Sequence, residues 1–351
     1  MHDSKLASII QEDAERVVNS IPDWSPLKGK RVLVTGGTGL IGLHIAATLE
    51  RLRHAGLVGP VTLVAKNSPT GPASIVCGHA DIVCCDLSNA AHISQLPYDQ
   101  DIIIHAAGYG QPSKFMEKGL KTIELNTATT DALHQHLADN SRFLFLSSSE
   151  IYSGNPDPPY GENDCGHTSP LHARSPYIEG KRCGEAICSY HFDKGRHYRV
   201  ARIALTYGPG TRPDDGRVLN QFIKRALTEK VIRMRDLGTA MRAYCYVSDC
   251  VETLFNVILH GKKFVYNVGG HSRTSIQDLA QAIANKTGAV VELPDLAMIT
   301  DVPNGAPNDV SLDVSRAESE FNKTEYVPLS EGLDRTIAYQ QLLYENSSNR
   351  S

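Results

Sequence analysis

Apolar residues come in two textures along this chain. Between residues 31 and 203 they form short, mostly unbroken runs: RVLVT (31–35), VTLVA (61–65), DIVCC (81–85), DIIIH (101–105), FLFLS (143–147) and YRVARI (198–203). A strand with one wet face alternates, whereas a continuous apolar run is covered on both faces, as in a parallel sheet between layers of helices. Between the runs the spacing turns helical, over 41–54, 117–138 and 177–192. This alternation predicts an α/β fold built on a Rossmann-type doubly wound parallel sheet.

Past Ile203 the texture changes. The loop TYGPGTRPDDGR is rich in Gly, Pro and Asp. Helices are expected at 217–228, 249–260 and 275–286, a short strand FVYNV at 264–268, and a last helix from Leu329. This half reads as a smaller C-terminal α/β substrate lobe. At the other end, Leu6, Ile9, Ile10, Ala14, Val17, Val18 and Ile21 recur at helical spacing, and Pro22 and Pro26 stop the pattern. This helix is expected to pack on the core rather than to form a subunit contact. The chain therefore divides into an N-terminal amphipathic helix extension (1–27), a dinucleotide-binding domain (28–203, with 240–268 returning to it), a mainly substrate-binding lobe (204–345) and a frayed tail (346–351).

Charge narrows the function classes. The net charge is −4 and no basic cluster occurs, so neither nucleic acid nor a membrane surface is an expected partner. No apolar run is long enough to span a bilayer, and the acidic, periodic N-terminus is unlike a signal peptide, which makes the cytoplasm the expected location. The eight cysteines form no C-x-x-C pair and stand at no zinc-like spacing, so they read as reduced, and no metal is expected.

Three stretches carry chemistry. The first strand ends in TGGTGLIG, where Gly36, Gly39 and Gly42, with Thr38, Leu40 and Ile41 between them, make a turn that opens into a helix. Such a turn lets a pyrophosphate approach backbone amides at a helix N-terminus. NAD-selective sites place an acidic residue at the end of the second strand, but here Ala65 and Lys66 stand there. NAD is the expected cofactor, with NADP left open because Lys66 can meet a 2′-phosphate. Asp86 and Leu87 follow the third strand at the adenine end, and the small Ala106 and Ala107 close the fourth, where a dinucleotide crosses. Tyr177 and Lys181 are four apart on one helical face, where an ammonium favours the phenolate and so a proton acceptor. The fifth strand runs into Ser147, Ser148, Ser149 and Glu150, three hydroxyls and a carboxylate at the edge where such sheets hold ligands.

Taken together, TGGTGLIG, HAAG, SSSEIY, YIEGK and YVSD resemble the extended short-chain dehydrogenase/reductases, the NAD-dependent epimerase/dehydratase family, over residues 28–345. SPLHARSPYIEGKRCGEA, RVARIALTYGP, DDGRVLNQFI and PLSEGLDRTI are most similar to its UDP-glucuronate decarboxylases. The resemblance implies a homodimeric enzyme that acts on a nucleotide sugar by transient oxidation at C4. Tyr177 and Lys181 would then also border the cofactor, and Ser148 would bond the sugar hydroxyl, with Ser149 beside it. Glu150 marks the decarboxylases and 4,6-dehydratases, since 4-epimerases lack this carboxylate. Arg242 matches an arginine that manages the carboxylate, and Arg217 one that reaches the diphosphate. The sequence departs from the pattern at Leu205, in place of an asparagine, at Phe115, in place of a tyrosine, and at Gly210, in place of an arginine. Decarboxylation of a UDP-uronate is the leading expectation. A 4,6-dehydratase or 4-epimerase is the alternative, and an NADPH-dependent ketosugar reductase or a silent dinucleotide-binding module is the remaining one.

Overall fold

A run that is apolar on both faces must be covered on both; the strands Val32–Thr35 and Val61–Ala65 are, whereas Asp81–Cys84, at the sheet edge, is only part-buried. The computed structural model describes residues 2–295 and 309–348. The chain starts with α1 (His2–Ser20), then β1 (Val32–Thr35), α2 (Leu40–His54), β2 (Val61–Ala65), α3 (Pro72–Val76), β3 (Asp81–Cys84), α4 (Ala90–Ile93) and β4 (Gln100–His105). Three short helices follow, α5 (Pro112–Glu117), α6 (Gly119–Asn126) and α7 (Ala128–Leu133), before β5 (Leu137–Ser148), α8 (Ser175–Phe192) and β6 (His197–Ile203). The rest holds β7 (Leu205–Tyr207), α9 (Val218–Thr228), β8 (Val231–Arg233), β9 (Met241–Tyr246), α10 (Val247–His260), β10 (Val265–Val268), β11 (Ser272–Ser275), α11 (Ile276–Thr287), β12 (Val290–Glu292), β13 (Asp309–Val310), α12 (Ser315–Phe321) and α13 (Leu329–Ser348).

Seven strands make the central parallel sheet in the order β10-β6-β5-β4-β1-β2-β3. Every residue of β1 and β2 is buried, as their unbroken apolar runs predict. The order reverses between β1 and β4, the crevice where doubly wound sheets bind ligands. Register sets what lines that crevice. Thr35 lies beside His105, His105 beside Phe145, and β5 runs on to place Ser147 and Ser148 against Arg202 and Ile203 of β6. Of the segment 240–268, α10 packs against β6 and β10, and β10 pairs with β6. Strand β9 instead pairs with β7, β11 and β13 in a second, four-stranded sheet.

The helix expected over 117–138 does not run through. It breaks at Lys118 and Thr127, and β5 already begins at Leu137. Polar side chains explain the break. Thr122, Asn126, Thr127 and Thr130 each bond the carbonyl four residues back, competing with the backbone ladder. The tail expected to fray from 346 lies in α13 as far as Ser348, and 349–351 fall outside the described residues.

Helix α1 packs on α2, α3, α10 and α13, with Leu6, Ile10, Ala14 and Val17 buried in the main core and Ile9 and Val18 against it. On the same buried face stands Asp13, wholly buried. Its carboxylate accepts from the Tyr246 hydroxyl at 2.9 Å and from the Arg335 guanidinium at 3.0 Å, and His44 Nε2 lies 3.6 Å away. One carboxylate thus ties the N-terminal helix to β9, α13 and α2. Replacing Asp13 with Ala leaves a half-buried guanidinium and a buried phenol without their shared acceptor, and is expected to cost about 3 kcal/mol. Glu12→Ala removes only an exposed contact to the same arginine and should stay within about 0.5 kcal/mol. Urea-unfolding midpoints compare the two, and equal midpoints would show that the Asp13 cluster is not structural.

Candidate active site

The glycine turn comes first along the chain. Gly36 has φ +71°, and a Cβ there would sit 2.8 Å from the Ala106 carbonyl, so only glycine fits. Gly39 stands at the N-cap of α2 with no side-chain cap, leaving the Leu40 and Ile41 end of the helix to hold an anion. Thr38 is bonded through its carbonyl and hydroxyl by Arg212, which reaches over from the loop after β7 at 3.0 and 3.2 Å. Behind the turn, Thr35 and His105 share a 2.7 Å hydrogen bond, and Thr35 Oγ1 accepts from the Ala107 amide. Burial pushes the His105 imidazole down to about 4, so it is neutral in its place. Beside Ala106 and Ala107, this floor is small and free of charge. These features fit a dinucleotide pyrophosphate and nicotinamide.

At the adenosine end, Lys66 is exposed and paired with a carboxylate. Its ammonium donates to Asp86 at 2.7 Å, and Lys121 lies 3.8 Å from the same carboxylate. Ser88 adds two further bonds. Lys66 and Ser88 hold Asp86 well below the usual carboxylate range. Leu87 is buried beneath it. The apparent cationic signal at the end of β2 is therefore largely answered within the protein.

The catalytic candidates converge from β5 and α8. Pro176 pre-sets the first turn of α8, and Gly184 lets the helix press on β5, since a Cβ there would sit 2.5 Å from Phe145. Tyr177 and Lys181 thus face the carboxyl end of β5. Ser148 accepts from the Glu150 amide at 3.2 Å, and its hydroxyl lies near enough to the Tyr177 phenol to act on its ionisation. Burial pushes the Tyr177 phenol up to about 12, although the nearby Ser148 hydroxyl opposes it. Lys181 donates to the Leu146 carbonyl at 2.6 Å, with its Nζ 5.8 Å from the centre of the Tyr177 ring. Burial pushes Lys181 down to about 7, against the pull of Glu185. The serines divide their work. Ser147 donates to Glu185, which is itself held by Arg202, while Ser149 opens a short 3₁₀ turn that carries Glu150.

Glu150 is gripped by a residue that sequence reasoning did not single out. Arg174 forks onto both of its carboxylate oxygens, with Nε at 2.9 Å. Arg242, from β9, lies near enough for Glu150 and Asp309 to act on its charge, while burial lowers its pKa. The Arg174 guanidinium also covers the Phe115 ring at 5.2 Å, and Phe115 stacks on Tyr177 with centroids 4.3 Å apart. The signal for Arg174 was its place one helical turn before Tyr177 in ARSPY. Nothing local marks Arg212, whose partner is 174 residues away.

Of the substrate candidates, Arg217 acts on the charge of both Tyr177 and Tyr244, and its guanidinium is forked onto Asp215 at 2.7–3.1 Å. Leu205 is half-buried in β7 opposite Tyr244. Gly210 lies under α1 and α2, where a Cβ would come 3.3 Å from Leu43 and 3.7 Å from Ile10. Its φ of +89°, with Leu43 of α2 close by, disfavours a side chain at that position.

Residues 32–269 match the model of the NAD dependent epimerase/dehydratase family. The chain is 32% identical over 325 residues to UDP-glucuronic acid decarboxylase 1 of Xenopus tropicalis, covering 91% of this chain and 74% of that one. UDP-glucuronic acid decarboxylase 6 of Arabidopsis thaliana is 31% identical over 310 residues, 86% of each chain. In fold, the protein is similar to UDP-glucuronic acid 4-epimerase from Bacillus cereus, solved with UDP-glucuronic acid and NAD (TM-score 0.72, 24% identity, 90% of this chain and all of that one). By sequence and by fold, the chain belongs to the NAD dependent epimerase/dehydratase family.

Proposed function

We propose that this protein decarboxylates a UDP-linked uronate, with NAD held on the glycine turn. The observation that carries this reading is Glu150, a carboxylate two residues past Ser148, fixed by Arg174 within reach of Arg242. Extensive similarity to UDP-glucuronic acid decarboxylases supports it.

When bound, the dinucleotide supplies reversible hydride acceptance from C4 and a positive charge that favours the Tyr177 phenolate. Tyr177 takes the proton of the C4 hydroxyl, and Ser148 steadies the same oxygen. The C4 ketone makes the C6 carboxylate a β-keto acid. The C5–C6 bond then breaks, its electron pair is held in the C4–C5 enolate, and CO₂ leaves. Arg242 receives the carboxylate, and the Glu150–Arg174 pair guides the proton that C5 takes up. Tyr177 gives its proton back to the C4 oxygen once the ketone is reduced again, so the net change is one proton consumed and one CO₂ released.

Incubation with UDP-glucuronate, dTDP-glucose and UDP-glucose, read by product mass, tests the reading. Loss of 44 mass units, the mass of CO₂, from UDP-glucuronate alone is the expected result. Loss of water or an unchanged mass with inverted C4 would instead assign dehydration or epimerisation. Tyr177→Phe should lower turnover by about 10²–10⁴-fold.

Glu150→Gln keeps the shape and removes the charge, and should slow CO₂ release by about 10²-fold or more. Arg174→Ala should follow it, because the carboxylate loses its fork. Glu150→Gln with undiminished CO₂ release would remove the central support for decarboxylation.

A homodimer belongs to the same reading. Helices α6 and α8 pack together and leave Leu120, Ile123, Cys183, Ala186 and Tyr190 exposed along one face. Light scattering should give twice 38.3 kDa for the wild type and 38.3 kDa for a Leu120→Glu/Tyr190→Glu variant. A monomeric wild type would refute it. A cytoplasmic location is also proposed. It rests on eight cysteines that are all free, and among the described residues no helix is long and apolar enough to cross a membrane.

A further inference from the structure

On the far side of the sheet's edge from the catalytic centre, three side chains from two elements come together. Glu50 and His54 are one turn apart at the end of α2, and His79 lies in the connection between α3 and β3. His54 Nε2 is 2.6 Å and His79 Nε2 3.5 Å from Glu50 Oε1, and one ligand atom from each residue lies within 4.8 Å of the others. The two imidazoles meet edge to face, with centroids 5.6 Å apart. Nothing in the sequence spacing of Glu50, His54 and His79 marks this cluster, because 25 residues separate the second histidine from the first.

The geometry points to a divalent transition-metal site, zinc first, held by Glu50, His54 and His79. Two imidazoles and one carboxylate are a borderline donor set that suits zinc over magnesium or calcium, which take all-oxygen shells. Metal–ligand bonds of about 2.1 Å put tetrahedral ligand atoms about 3.4 Å apart. The Glu50–His79 separation already has that value, and the exposed His54 ring has to open by less than 1 Å from its present contact. A fourth position would stay with water, as in sites with three protein ligands.

Two features favour a cation here. The cluster sits at the C-terminal end of α2, where the helix presents the negative end of its dipole. Glu50 is only 13% exposed and is fixed by Arg53, whose Nε bonds its other oxygen at 3.2 Å, so one ligand is already in place. Arg53 is the opposing charge: a second nitrogen of its guanidinium reaches Oε1, the oxygen the histidines face, at 3.3 Å, and a bound ion has to displace that contact. A bound ion would pin the lead-in to edge strand β3 against α2, whose other end is the dinucleotide turn.

Zinc titration by calorimetry on the EDTA-treated full chain tests this. The wild type should bind one equivalent at micromolar zinc and melt at a higher temperature with it. His54→Ala and His79→Ala, both changes of exposed side chains, should each weaken binding by more than about tenfold, the size of effect expected when a supporting group is lost. Circular dichroism checks that the variants remain folded. Cobalt should give intense visible absorption in the wild type and lose it in both variants. No zinc binding by the wild type would overturn the site, as would a double variant that still binds one equivalent with the same affinity, which would place the ion elsewhere.

Discussion

The site depends on keeping ionisable groups out of water at the carboxyl end of β5. A buried charge is costly unless something answers it, and each group here has a different answer. Glu150 has the fork of Arg174. Glu185, behind the site, has Arg202 and the Ser147 hydroxyl. Lys181 has a carbonyl at 2.6 Å, the Phe145 ring at 4.8 Å and the more distant Glu185, and burial pushes it down to about 7. Tyr177 is held protonated by burial. The least compensated groups are Tyr177 and Lys181, the proposed base and the ammonium beside it, and a cationic ring against the phenol would tip it toward phenolate.

Much of this was legible in the sequence because it is periodic or local. Five of the six expected strands between 31 and 203 begin and end within one residue of their observed limits, since an apolar run in a buried parallel sheet has little other place to go. The fifth, expected at 143–147, ends one residue later at Ser148 but starts six residues earlier, at Leu137. The glycine turn and the Tyr177–Lys181 pair are local patterns of the same kind. What failed was the interior of 117–138, where spacing promised one helix and threonine hydroxyls divided it.

Partnerships across the chain were not legible at all. Lys66 looked like a phosphate ligand until Asp86, twenty residues on, was found holding it. Arg217 looked free for a diphosphate and is forked onto Asp215. Gly210 looked like a change in the substrate pocket and has a positive φ against Leu43 of α2. For Lys66 and Gly210 the protein partner lies on another element, whereas the partner of Arg217 stands two residues away in the same loop. A diphosphate that engages Arg217 must compete with a carboxylate already in bidentate contact, so binding there exchanges one charge-assisted pair for another rather than filling an empty site.

The remaining departure, Phe115, acts through the same buried chemistry. Its ring stacks on Tyr177 and lies under Arg174, so it links the base to the residue that holds Glu150. A phenylalanine keeps that apolar contact, which tyrosine would also supply, but it offers no hydroxyl to a sugar. The loss therefore falls on recognition rather than on the alignment of base and carboxylate. A site that lacks one polar partner discriminates less against sugars without the matching hydroxyl, since no buried group of the protein is left unpaired when that hydroxyl is missing. Leu205 in place of an amide works in the same direction. Catalytic geometry held by ion pairs and stacking can thus persist while the specificity of the pocket around it shifts.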